Sequence, residues 1–370
     1  MVNGGTRLAF GNTFMYLALG VMIFFAGFRF EIGYDYPKYL AGYLYDSELQ
    51  HWEPFFNFFV RLIRNYNFGL DVQAMFLFFS SLSILLIYFA LRQLTQYYRL
   101  GILLYILTPA YYLASFSVVR QGIALGIVLY SVKYIVSKQI DFKKYVITLF
   151  IAFMFHYGSF FASMIYIVGY KFFQRLYSWT FYILLTFISF FLSFAHFGKI
   201  LLLLLPGHFG LYANSEIAIH PLKLLLVNLF FIILLTQKND FSKSKLATFS
   251  LNSMFLGLMV FNVFSDFLYI TRLAHYFSLV SIVLVPIYIY SINGIYKRRV
   301  VLVLFFMYYL FDYNYALYRD MTYPGNRVNF AIPYKNYFFE ETKSHRNLNI
   351  EAWYNYIQEH VSEQNSEEIK

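Results

Sequence analysis

Of 370 residues, 60% are hydrophobic and 13% charged, with a mean hydropathy of +0.54, which leaves too little polar surface to cover a soluble domain. The net charge of +10 would suit nucleic acid in a soluble protein, but most Lys and Arg stand in short breaks between apolar segments, where bilayer orientation explains them. With no cysteine, disulfides, thiolate metal sites and cysteine nucleophiles are excluded.

Apolar stretches of about 20 residues select an all-α integral membrane protein over a barrel, with residues 1–370 forming a single polytopic helical domain. The first, Leu8–Phe28, is too long for a signal-peptide core and lacks a small-residue cleavage site, so it is predicted to span. It ends in R-F-E-I-G-Y-D-Y-P-K-Y at Arg29–Tyr39. Residues 29–71 form a non-spanning loop in which Glu53-Pro54, an aromatic run, Arg61 and Arg64 suit short amphipathic helices on the outer face. Spans follow at Val72–Leu91, Leu100–Val119 and Gly122–Val136, the last two meeting at Arg120-Gln121.

The stretch Tyr145–Tyr170 is interrupted by H-Y-G-S at His156–Ser159. Two short helices, Tyr145–Phe155 and Ser159–Tyr170, place Lys171/Arg175, Lys238/Lys243/Lys245 and Lys297/Arg298/Arg299 on the side of Arg92/Arg99 and Lys138/Lys143/Lys144, as the positive-inside bias requires. Further spans at Leu176–Ala195, Leu222–Thr236, Leu246–Ser265, Leu273–Ile292 and Val300–Phe311 bring the total to about eleven, some short or broken. The outer face then receives 29–71, Arg120, His156, 196–220, 266–272 and the C-terminal segment 312–370, whose tail from Asn349 carries Glu351, Trp353, Tyr354, Ile357 and Val361 at the spacing of a surface helix.

Arg29, Arg120 and Arg272 each stand at the outer end of a span, against the orienting bias. Either they snorkel to headgroups or they share an anion, which guanidinium forks grip bidentately. Asp266 and His275 flank Arg272, with an Asp266 to Arg272 ion pair as the structural alternative. Asp35, Glu31 and Glu53 are carboxylates able to accept a hydroxyl proton, or plain loop acids and helix caps. Asp35 is favoured by its place between Gly33, Tyr34 and Tyr36; His156, at a helix break, is a second base or a packing residue. No zinc-protease, nucleophile-elbow, P-loop or dinucleotide motif occurs, so neither a metal nor a nucleotide cofactor is expected.

In order, Arg29 with Gly33–Tyr36 and Tyr39, Glu53-Pro54, Arg120-Gln121 with Ala124, Phe155-His156 with Ser159, Arg272 before Tyr276, and I-P-Y at Ile332–Tyr334 resemble the EpsG-like branch of the Wzy-type polysaccharide polymerases, which include O-antigen polymerases. Tyr157 and Gly158 depart from the regular helix expected after the histidine. The resemblance implies a GT-C-like architecture and a glycosyltransferase of polysaccharide or lipopolysaccharide biosynthesis. It implies inverting, metal-independent polymerisation of undecaprenyl-pyrophosphate-linked repeat units on the periplasmic face of the bacterial inner membrane, with the lipid-linked glycan, the bilayer and a chain-length regulator as partners. Arg29, Arg120 and Arg272 would bind pyrophosphate and Asp35 or His156 would act as base, with Tyr36, Tyr39, Glu53, Gln121, His275 and Tyr334 supporting. An O-antigen-ligase-like transferase would use the same parts. A lipid-linked sugar flippase calls instead for charges near the midplane and an internal repeat, neither of which the sequence shows.

Overall fold

The computed structural model describes residues 4–66, 69–204, 221–322, 331–332 and 334–338. The regular elements among them are helices, joined by one isolated antiparallel bridge between Arg29 and Asn336. Among the described residues, four helices are long and apolar enough to cross a membrane: Val72–Leu94, Val119–Val136, Lys245–Val263 and Ile295–Thr322. Two bent pairs, Trp179–Phe194 with Phe197–Leu203 at 74° and Thr271–Ser278 with Ser281–Ser291 at 45°, raise the number to six.

The expected count of about eleven is higher because it includes shorter apolar helices, among them Asn12–Gly27, Tyr98–Leu107, Ser159–Val168 and Pro221–Leu235. The expected span Leu100–Val119 is instead the ten-residue helix Tyr98–Leu107, a turn, and the short helix Ala114–Ser117. Pro109 is the cause: the residue before proline is pushed out of the α region, and Thr108 is extended with φ −93° and ψ 107°. The expected span Leu273–Ile292 bends between Ser278 and Ser281, and the last span runs on to Thr322. The break at His156 is present, with Phe142–Phe155 on one side, Ser159–Val168 on the other, and His156 extended at φ −156° and ψ 112°. The predicted tail helix lies outside the described residues.

The chain divides into two compact units, one of Met1–Ile84, Leu113–Arg120 and Asn314–Lys370, the other of Leu85–Tyr112 and Gln121–Tyr313. In the first, the helix Gly4–Gly27 leads into the Arg29 stretch, and Tyr36–Leu44, Asp46–Leu49 and Pro54–Asn65 are the short helices expected of the 29–71 loop. Residues 334–338 run beside the end of the first helix: Phe30 N–H donates to Lys335 O at 3.0 Å and Tyr337 N–H to Phe28 O at 2.9 Å.

The second unit is organised on Lys245–Val263, which carries buried amides and hydroxyls where lipid-soluble helices have no hydrophobic drive to associate. Asn252 Nδ2 reaches the carbonyls of Phe172, Phe173 and Arg175 at 3.2, 3.1 and 2.8 Å, and its Oδ1 accepts from the Tyr182 hydroxyl at 2.5 Å. Asn262 and Asn228 exchange amide hydrogen bonds at 2.9 Å each way, and Asn262 also donates to Ser189 Oγ at 2.9 Å. Asn252 thus ties a chain turn to two helices. Asn252→Ala removes the amide donor shared by the three carbonyls and the acceptor of the Tyr182 hydroxyl proton, a loss of roughly 1–3 kcal/mol, and should lower the thermal unfolding midpoint of detergent-solubilised protein; an unchanged midpoint would show that the network contributes nothing.

Candidate active site

The Arg29–Tyr39 stretch folds back on itself in the first unit. Arg29 does not snorkel. Its side chain is 0% exposed, donates from Nη1 to Ala26 O and to Ser80 Oγ, and lies 4.5 Å from the Phe76 ring centre and 5.5 Å from that of Phe116. Gln73 Nε2 donates to Arg29 O at 3.0 Å, fixing the backbone as well. Glu31 follows at φ +53°, a left-handed conformation uncommon outside glycine, and meets Lys335 Nζ at 3.4 Å.

Gly33 has φ +99°, and a Cβ there would lie 2.2 Å from Phe116 O. The next residue, Tyr34, donates its N–H to Ser117 Oγ at 2.9 Å. The turn is therefore docked backbone to backbone on the segment that leads into Arg120. Asp35 then occupies the N-cap position of Tyr36–Leu44, with Pro37 in the first turn. Its half-buried side chain makes no cap bond, and among the described residues it enters no ion pair or side-chain hydrogen bond. Tyr36 stacks on Phe76 at 4.6 Å and is buried, so it supports the turn from within, whereas the partly exposed Tyr34 donates its hydroxyl to Asp320 Oδ1 at 3.0 Å.

Glu53 precedes Pro54, which holds it extended at φ −61° and ψ 145° and starts the helix Pro54–Asn65. Its carboxylate accepts from Arg120 Nη1 at 2.6 Å, with the side chains 3% and 16% exposed. Aromatic faces box the guanidinium: its carbon lies 5.2 Å from the Trp52 ring centre and 5.9 Å from those of Tyr39 and Phe56. Tyr39 accepts the Arg120 N–H on its hydroxyl at 3.4 Å, and burial pushes that hydroxyl up, so it stays neutral beside the cation. Arg120 Nε is a buried donor with no hydrogen-bond partner among the described residues. Arg120 also stands in the first turn of Val119–Val136, where the helix terminus itself attracts negative charge.

Of the three candidate acids, then, Glu53 is held by Arg120 and Glu31 by Lys335, while Asp35 lies within electrostatic reach of Tyr39. In the second unit, Gln121 Nε2 donates to Arg272 O at 2.9 Å, and His275 follows Arg272 by one helical turn. His156 ends its helix by donating its N–H to Ala152 O at 3.0 Å, its carbonyl accepts the Ser159 N–H at the start of the next helix at 2.9 Å, and a Cβ on Gly158 would lie 2.8 Å from its Nε2. Asp266 pairs with His196 at 2.9 Å, in place of the Arg272 pair considered from the sequence. Tyr334 donates its hydroxyl to Phe25 O at 2.8 Å.

Trp52, Phe56 and Gly42 were not singled out from the sequence. Trp52 and Phe56 flank Glu53 one helical turn apart, a readable signal; Gly42 leaves none, although a Cβ there would lie 2.1 Å from the Trp52 ring. Gly33→Ala combines a positive φ with a backbone clash and should cost roughly 1–3 kcal/mol, whereas Gly20→Ala, with nothing within 4 Å, should be neutral. Thermal unfolding of both variants checks the difference; equal midpoints would mean that the turn is not docked on Phe116.

A model of the EpsG family matches residues 12–336. No curated protein and no solved structure matches the chain. The family match takes in most of the sequence, including every candidate residue described above, and the chain belongs to the EpsG family.

Proposed function

We propose that this multi-pass membrane protein polymerises glycan repeat units carried on undecaprenyl pyrophosphate, by inverting and metal-independent glycosyl transfer at the outer face of the bacterial inner membrane. Family membership is consistent with a polysaccharide polymerase. One structural observation carries the mechanism: Arg120 is held in an aromatic box by a single carboxylate, with a buried donor left over.

The acceptor hydroxyl oxygen attacks the anomeric carbon of the donor sugar from the face opposite the leaving group. The bond from that carbon to the phosphate oxygen breaks, and the lipid pyrophosphate departs with the electron pair. Negative charge grows on the departing oxygen, so a cation already oriented and partly dehydrated stabilises the transition state more than the ground state. Arg120 fills that role, and Glu53 fixes its fork. The hydroxyl proton passes to Asp35, the carboxylate without an ion pair among the described residues; His156 is the second choice. Full burial gives Arg29 the task of anchoring the stretch that bears Asp35. A chain-length regulator would act on the growing product.

The two roles fail differently. Arg120→Lys keeps charge but loses the planar fork, and should retain little extension at unchanged protein level. Asp35→Asn should still bind lipid-linked donor while turning it over about 10²- to 10⁴-fold more slowly. Purified protein with lipid-linked repeat units measures binding and turnover separately. Near-normal extension by Asp35→Asn would remove Asp35 as base, and His156→Ala in the same assay would then show whether the histidine takes the proton.

A further inference from the structure

The Arg29–Tyr39 stretch of the first unit carries Tyr34, Tyr36 and Tyr39, and the fold treats them differently. Tyr36 and Tyr39 are 3% and 2% exposed, one stacked on Phe76 and the other packed into the box around Arg120. Tyr34 keeps 37% of its surface accessible and stands directly before Asp35. It is nonetheless held at both ends: its backbone N–H donates to Ser117 Oγ at 2.9 Å and its hydroxyl to Asp320 Oδ1 at 3.0 Å.

Asp320 lies in the last turn of Ile295–Thr322. Its second oxygen, Oδ2, accepts the N–H groups of Ala331 and Ile332 at 3.1 and 3.5 Å. Those residues open the segment whose later part bonds to Phe28 and Phe30, on either side of Arg29. One carboxylate thus joins a helix end, this segment and the Tyr34 ring. A hydroxyl bonded to an ionised carboxylate is held more firmly than one bonded to a neutral acceptor. An accessible phenol ordinarily loses side-chain freedom when a ligand packs on it; here that ordering precedes the ligand. The ring offers an apolar face with a polar tip, which suits a pyranose, whose C–H face is apolar and whose rim carries hydroxyls.

We infer that Tyr34 is the platform on which a sugar packs its C–H face, and that Asp320 is the positioning residue that holds the ring. The inference rests on the polymerase reading for which sugar arrives: the acceptor, because its attacking hydroxyl must come within reach of Asp35, the next residue. Burial closes Tyr36 and Tyr39 to the same contact.

The probe is the free oligosaccharide that mild acid releases from the host cells' own lipid-linked repeat units, titrated into full-length protein in phosphatidylcholine nanodiscs and followed by saturation-transfer NMR. Without lipid or pyrophosphate, it reports sugar contact alone. Tyr34→Ala should weaken binding about tenfold, and Tyr34→Trp, which keeps an aromatic face, should stay within about twofold of the parent. Tyr34→Phe keeps the ring but loses the Asp320 bond, and should weaken binding about threefold. Asp320→Ala should weaken it at least as much, and adding Tyr34→Phe to that variant should cost nothing further, since the shared bond is already gone. A tyrosine that only fastens the turn gives another pattern: the Ala and Phe variants lower the thermal unfolding midpoint alike, and neither alters glycan binding. Parental binding by Tyr34→Ala, a loss in Tyr34→Phe as large as in Tyr34→Ala, or no glycan binding by the parent would overturn the inference. Turnover does not enter the measurement. A parent that binds glycan through Tyr34 but extends no chain keeps the platform and loses the polymerase reading, whereas normal extension with unchanged binding by Tyr34→Ala does the reverse.

Discussion

A guanidinium largely withdrawn from solvent must be compensated, and in this chain the partner of Arg120 is Glu53 at 2.6 Å. Removing one member of a buried pair costs roughly 3–5 kcal/mol because the other is left uncompensated. That constraint organises the first unit. Pro54 sets the carboxylate at a helix start, Trp52 and Phe56 exclude water from the cation, and Gly42 makes room for the tryptophan. Gly33 and Ser117 then tie the Asp35 turn to the segment before Arg120. The compensation is economical in donors, because Glu53 takes Nη1 while Nε stays unbonded among the described residues.

The second unit solves a different problem, holding apolar helices together where lipid offers no hydrophobic drive. Asn252 and Asn262 do so through amides that satisfy carbonyls, hydroxyls and one another. Its Lys223 to Asp312 ion pair is of another kind, more exposed than the amides.

Much of this was legible in the sequence, for identifiable reasons. Glu53-Pro54 marks a helix start whatever surrounds it, and the break at His156 followed from the alternation of basic turns. The break after Thr108 was missed, although Pro109 announces it, because hydropathy alone carries the apolar run through. At the ends of spans, residue type tells that an arginine is present but not whether it turns inward, and Arg29 proves fully buried. The Trp52 box and the Lys223 to Asp312 pair join residues whose spacing encodes no contact, so only the fold brings them together.

Polymerisation is read most directly from the surface-glycan length ladder of cells from which this chain has been deleted. Loss of a polymerase leaves donor units made, exported and attached singly, so the expected ladder collapses to single-repeat caps and is restored by the intact chain. A complete absence of caps would indicate a ligase or a transporter instead, and an unaltered ladder would contradict any role in chain extension.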